Sequence, residues 1–150
     1  MKEVGAMGHG IDFGEELAAN HRQIRSAATI PTDAACLGQT LRRHVQLLRR
    51  HVLPAVTNGV PGGAQVAGSD EVVLSRIERE LGEGSVAKRP SEHVRGRRGR
   101  REVQQPSALL DLVEVQLDWE DRVLLPLLEA EATWIVLEDL ADHARLARQR

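Results

Sequence analysis

Apolar residues along this chain recur at helical spacing, and no stretch alternates as a half-buried strand would. The first amphipathic segment runs from about Asp12, a candidate N-cap, to Ala28. Glu15, Glu16 and Leu17 favour helix, and Pro31 lies just past its end. A second segment spans Asp33 to Val56, with Leu37, Leu41, His44, Leu48 and His51 on one face. Pro54 should disturb its last turn. A glycine-rich connection, Gly59 to Gly68, is expected next. A short helix should follow, capped by Ser69-Asp70, carrying Val72, Val73, Leu74, Ile77 and Leu81, and stopped by Gly82 and Gly84. Ser91 to Gln105 has weak periodicity and reads either as a helix or as a basic loop. Ser107 to Ala130 carries a broad stripe of Leu109, Leu110, Val113, Leu117, Leu124, Leu127 and Leu128. Thr133 to Arg150 reads as an amphipathic helix laid against the rest of the chain or against a partner.

An internal echo organises these segments. His44-Val-Gln-Leu-Leu-Arg-Arg-His-Val-Leu-Pro54 returns as Gln116-Leu-Asp-Trp-Glu-Asp-Arg-Val-Leu-Leu-Pro126, each position 72 residues after its counterpart. His93 follows His21 by the same interval. The pattern is that of two copies of one helix pair. It places His21, His44, His93 and Gln116 at equivalent polar positions on four segments. Glu120, four residues after Gln116, points the same way from its helix. One polar group from each helix, converging inward, is how bundles build core metal sites. Imidazole with carboxylate suits iron, manganese or zinc.

Composition narrows the picture. The 150 residues fit one domain. Aromatics number only Phe13, Trp119 and Trp134, so a core must come from Leu, Val, Ile and Ala, which favours helix packing. A net charge of −2 gives no global pull toward nucleic acid or membrane. The lone cysteine, Cys36, cannot form an internal disulfide and fits a reducing cytoplasm. No signal-peptide pattern is visible at the N-terminus, and no stretch reaches the ~20 apolar residues of a membrane span.

The repeated frame resembles the hemerythrin-like (HHE) cation-binding family. His44 to Leu53-Pro54 and Gln116 to Leu125-Pro126 match its second- and fourth-helix motif. Glu92-His93-Val-Arg resembles its third-helix signature, and Asn20-His21-Arg-Gln-Ile its first-helix histidine. The resemblance covers roughly Asp12 to Glu131. It implies an all-α, up-down four-helix bundle, here with an additional C-terminal helix. Residues 1–10 would be a flexible N-terminus, 11–131 the bundle and 132–150 the C-terminal amphipathic helix.

The family's diiron site uses seven ligands, and this chain departs at three of those positions. Leu48 stands where the second-helix carboxylate would be, Arg89 where a further third-helix histidine would be, and Gln116 where the fourth-helix histidine would be. His21, His44, His93 and Glu120 survive. The resemblance implies that His21, His44 and Glu120 hold one ion, a two-His-one-carboxylate set suited to mononuclear iron with open positions. Gln116 would lie nearby and hydrogen-bond a bound water or oxygen species. The resulting expectation is a degenerate cation-binding domain in oxygen, iron or redox sensing or handling; open iron positions leave a redox enzyme as an alternative, although no substrate pocket can be read from the sequence. If the site is vestigial, no cofactor is expected.

The main alternative is a metal-free bundle acting as a regulatory or interaction module, with a protein partner or a second copy docked on the C-terminal helix through Trp134. His51, seven residues beyond His44, lies about 10 Å further along the helix and cannot share its ion; it reads as interfacial or structural. His143 reads as solvated. The run Arg95-Gly-Arg-Arg-Gly-Arg-Arg101 lacks interleaved aromatics to stack bases, so a solvated basic surface is favoured over nucleic-acid contact. No nucleophile triad, phosphate loop or dinucleotide fingerprint is present.

Overall fold

The computed structural model describes the backbone of residues 12–29, 34–93 and 98–149, and the side chains of 12–29, 35–82 and 108–149. The expected flexible N-terminus (1–10), the side chains of Arg89 and His93, and those of the basic run at 95–101 lie outside the described residues. The described residues form five helical rods and no strand.

Helix α1 is Phe13–Ala28. Asp12 caps it, its Oδ1 accepting from the Gly14 amide at 2.8 Å, and Glu15 and Glu16 complement the dipole in the first turn. Phe13, Leu17, Asn20, His21, Ile24 and Ala27 form its buried face. The second rod is α2 (Ala34–Leu47), a π-helical turn (Leu48–Val52) and α3 (Leu53–Gly59). The fourth repeats that plan as α5 (Arg98–Trp119), a π-helical turn (Glu120–Leu124) and α6 (Leu125–Glu131). Both π turns and both following helices stand 72 residues apart, so the sequence echo is also a backbone echo. Pro54 and Pro126 explain the shared irregularity. Each lacks an N–H, and its ring crowds the carbonyl four residues back. The chain absorbs this by widening one turn, so that Leu53 N–H bonds Leu48 O and Leu125 N–H bonds Glu120 O.

The third rod, α4 (Gly63–His93), is longer than expected at both ends. The glycine-rich connection shrinks to a tight turn around Val60–Gly62, with Gly62 at φ 73°. At Gly63 a Cβ would strike the Val56 carbonyl, so only glycine lets the two helices approach. Gly82 and Gly84 do not end the helix. Buried Ala67, Asp70, Leu74, Ile77 and Leu81 hold it along one face, and that packing outweighs a glycine penalty of about 1 kcal/mol. Asp70 is therefore not a cap but a buried interior residue, 3 % exposed. The segment 91–105 divides: Ser91–His93 close α4, and Arg98 onward opens α5.

Helix α7 (Trp134–Gln149) packs on α1 and α2. Ala141 and Ala144, both fully buried, let it approach closely, and Leu140 fills the seam. Arg148 ties it to α1, donating to Glu16 O and to Asn20 Oδ1 and pairing with Glu16 Oε1 at 2.6 Å. Contacts also join α1 to α2, α2 and α3 to α4, and α4 to α5. On the π turn, Arg49 donates to Glu71 Oε2 at 2.9 Å and to Glu78 Oε1 at 2.8 Å, fixing that turn on α4. Leu17, Ile24, Leu41, Leu48, Leu74, Ile77, Leu117, Leu124, Leu128 and Leu140 are the large buried side chains. Each contributes about 1.5–3 kcal/mol by leaving water. No helix among the described residues is long and apolar enough to cross a membrane.

Candidate metal centre

Four of the largest buried polar groups meet in one layer of this apolar interior. His21 projects from α1 and His44 from α2, Gln116 projects from the last turns of α5, and Glu120 opens the second π turn. His21 and Glu120 are fully buried, and His44 and Gln116 nearly so. Periodicity puts them there: His21 follows Leu17, and His44 follows Leu41, on otherwise apolar stripes.

Glu120 is the hub. Its Oε1 accepts from His21 Nε2 and from His44 Nε2, both at 2.8 Å, and its Oε2 accepts from Gln116 Nε2 at 2.8 Å. A carboxylate can only accept, so each of these Nε2 atoms carries a proton here. Burial alone would push the Glu120 carboxyl up. The charge of His44 and the hydrogen bonds from both imidazoles outweigh it and hold the group well below the usual carboxylate range. For His21, burial works against protonation, but the hydrogen bond and charge of Glu120, helped by Asp121, raise its pKa above the ordinary value.

The three donor atoms His21 Nε2, His44 Nε2 and Glu120 Oε1 lie within 4.8 Å of one another, and this group could hold a metal ion. Donors about 2.1 Å from an ion and about 90–110° apart are separated by roughly 3.0–3.4 Å. For an ion to enter, the 2.8 Å spacings to Oε1 must open by a few tenths of an ångström and each imidazole must lose its Nε2 proton, keeping the Nδ1–H tautomer. The rings cross at 75° with centroids 5.3 Å apart, so both can aim Nε2 at one point without stacking.

Outer groups orient the donors. Asp121 Oδ1 lies 3.1 Å from His21 Nδ1, the place where metal-bound imidazoles usually find a carboxylate or carbonyl, although the contact is off-line for a hydrogen bond. His44 Nδ1 is buried without a hydrogen-bond partner, and a small cavity beside His44 is lined by Asn20, Thr40, Arg43 and Arg148. Gln116 spends its amide on two carboxylates, donating to Glu120 Oε2 and to Asp70 Oδ2 at 3.3 Å. No family model, no curated protein and no solved structure matches this chain.

The structure brings together His21, His44, Glu120 and Gln116. His93 ends α4, and its side chain lies outside the described residues. Leu48, the echo of Glu120, is fully buried and apolar. Two residues were missed in sequence. Asp121 is simply the neighbour of Glu120. Asp70 had a visible signal, being a lone carboxylate on the stripe that continues through Leu74, Ile77 and Leu81. His143 corrects an expectation of solvation: it is half-buried and stacks on His51, centroids 3.6 Å apart and planes 11° apart, because α7 lies over α2. His51 does sit at that interface.

Asp70 gives a pH-dependent prediction. Burial raises its pKa from 3.8 to about 6, against the hydrogen bond from Gln116. The folded state therefore binds a proton more readily than the unfolded chain, and this group lowers stability as pH rises from about 4 through 6. Asp70→Asn keeps the acceptor for Gln116 and removes the charge. It should stabilise the protein by roughly 1–3 kcal/mol at pH 7.5. The gain should fade toward pH 4 in urea titrations. A variant equally stabilised at both pH values would contradict the assigned burial of the charge.

Proposed function

We propose that this chain is a hemerythrin-like bundle that binds a single metal ion, iron by its donor set, through His21, His44 and Glu120. The observation that carries the reading is the convergence of two imidazole nitrogens and one carboxylate oxygen among buried side chains. An up-down bundle of α1, α2–α3, α4 and α5–α6 with α7 added outside accounts for that convergence. The walls contribute His21, His44, Asp70 and the Gln116–Glu120 pair in turn. Imidazole and carboxylate donors with open positions suit Fe(II). When bound, the ion would supply redox or small-ligand binding at those positions. The chain itself excludes bulk water, orients His21 through Asp121, and holds Glu120 through Gln116. Leu48 in place of a second carboxylate argues for one ion rather than two. The role we infer is sensing or handling of oxygen, iron or redox state in a cytoplasmic setting.

The test is anaerobic loading of the full chain with Fe(II), dialysis, and metal analysis. About one iron per chain is expected, with at least tenfold weaker retention in His44→Ala, as for loss of one of three donors. Two irons per chain would refute the mononuclear reading, and none with helicity intact would refute iron binding. A second reading is favoured by one observation: Glu120 is already satisfied by His21, His44 and Gln116, as in a metal-free structural network. With Trp134 69 % and Ile135 62 % exposed on α7, that reading makes the bundle an interaction module joined to a protein partner or a second copy.

A further inference from the structure

A second polar cluster lies away from the Glu120 layer, where α7 crosses α2 and the first π turn. A groove of about 130 Å³ is lined there by Arg43, Gln46, Arg50, His51 and His143 over an apolar floor that includes Leu47. Leu47 is 3 % exposed, so the floor is fixed by the core. Arg43 and Arg50 have no carboxylate partner among the described residues. Arg25, Arg49, Arg122, Arg145 and Arg148 are each ion-paired, whereas the exposed Arg22, Arg42, Arg76 and Arg79 share the unpaired state of Arg43 and Arg50 among the described residues but do not line the groove. The stacked imidazoles of His51 and His143 put two further potential cations beside the two guanidinium groups.

Such an arrangement is unfavourable by itself. Two imidazoles with centroids 3.6 Å apart repel if both are protonated, and two nearby arginines add to the repulsion. Asp139, on α7, lies 3.6 Å from His143 Nε2 and offsets part of this. An anion in the groove would offset the rest. We propose that the groove between α2 and α7 is a binding site for a small oxyanion of the phosphate or sulfate class, held by Arg43 and Arg50 and by protonated His51 and His143. The groove is large enough to seat such an ion between the two guanidinium groups and the two imidazoles. Guanidinium forks match tetrahedral oxyanions in geometry as well as charge. The site does not depend on the metal reading, since none of its residues touches Glu120.

The pH dependence follows from the groups that face His51. Burial first, then His143 and Arg50, lower its pKa, with Asp139 acting in the opposite direction. His51 is therefore neutral at neutral pH without a ligand. Binding of a dianion should draw a proton onto it and strengthen as pH falls.

The probe is inorganic sulfate, which keeps its charge from pH 5.5 to 8. The full chain is titrated at constant ionic strength against chloride, with imidazole C–H signals followed by NMR. Saturable shifts of His51 and His143 are expected, with affinity about tenfold higher at pH 5.5 than at pH 8, as for one imidazole whose pKa rises by about one unit on binding. Arg43→Gln with Arg50→Gln should weaken binding by at least about tenfold, through loss of charge-assisted hydrogen bonds, with unchanged helicity. His51→Asn should keep the fold and abolish the pH dependence. Equal response to chloride, unchanged binding in the arginine variant, or binding only of an acidic peptide with no sulfate response would each overturn the proposal.

Discussion

Replacing Glu120 with alanine should cause the largest loss of stability of any single polar substitution in this chain, about 3–5 kcal/mol, because it strips a buried charge network of its acceptor. Glu120 accepts from His21, His44 and Gln116, so its removal orphans both imidazole donors and leaves Gln116 only its longer bond to Asp70. Glu120→Gln keeps the volume and one acceptor oxygen. It should recover part of the stability but none of the metal retention, since a neutral amide is a poor ligand beside two imidazoles. The two variants thus separate packing from charge. Linkage fixes the pH window. The Glu120 carboxyl is depressed in the folded state, so its contribution is present above the unfolded value of about 4.5 and is lost as pH falls below it. His21 is raised, so its contribution is present below about 6.5 and is lost as pH climbs through its higher folded value. Urea unfolding of the parent and of Glu120→Ala should therefore converge at the acid end. A difference that persists unchanged below pH 3 would mean that Glu120 acts through packing alone.

Much of this layer could be read before the fold was known, for a specific reason. The 72-residue echo sets His44 against Gln116 and Leu48 against Glu120, and the Leu-Pro pairs mark where each copy loosens. Periodicity then places His21, His44 and Glu120 on inward faces. What periodicity cannot supply is the response of the backbone. The π turns arise from proline geometry summed with burial of Leu48 and Glu120, and no local letter pattern distinguishes them from a kink. Asp70 failed for a related reason. Ser-Asp before an apolar run is the signature of a cap, and only the packing of α4 through Ala67 turns that position into an interior one. Gly82 and Gly84 looked like stops because intrinsic propensity was weighed without the tertiary face that overrides it. His143 was misjudged because the partner of α7 is nonlocal: Ala141 and Ala144 permit close approach, but nothing in the tail says to which helix.

The double change Leu48→Glu with Gln116→His should make the stability of this protein depend on metal. Leu48 is fully buried, one turn past His44 on the same face, and is the counterpart of Glu120 in the repeat. Without metal, the change removes a buried leucine and inserts a carboxylate with no donor assigned to it. It also takes from Glu120 and Asp70 the amide that bridges them. A cost of about 4–6 kcal/mol is expected, from lost burial and an uncompensated charge. A divalent cation then changes the sign of each defect. The new glutamate becomes a ligand, the new imidazole becomes a neutral donor, and the like charges around Glu120 gain a counter-ion. Metal at about 1,000 times its dissociation constant returns about 4 kcal/mol, so most of the loss should be recovered in thermal unfolding. Affinity should exceed that of the parent at least about tenfold, as expected for added charged donors. Gln116→His alone is the milder control, keeping Leu48 in the core and adding one imidazole. Its unfolding midpoint should rise with metal by less than that of the double variant. If both variants fold and neither midpoint responds to metal, the convergence of His21, His44 and Glu120 is a structural network and not a place for an ion.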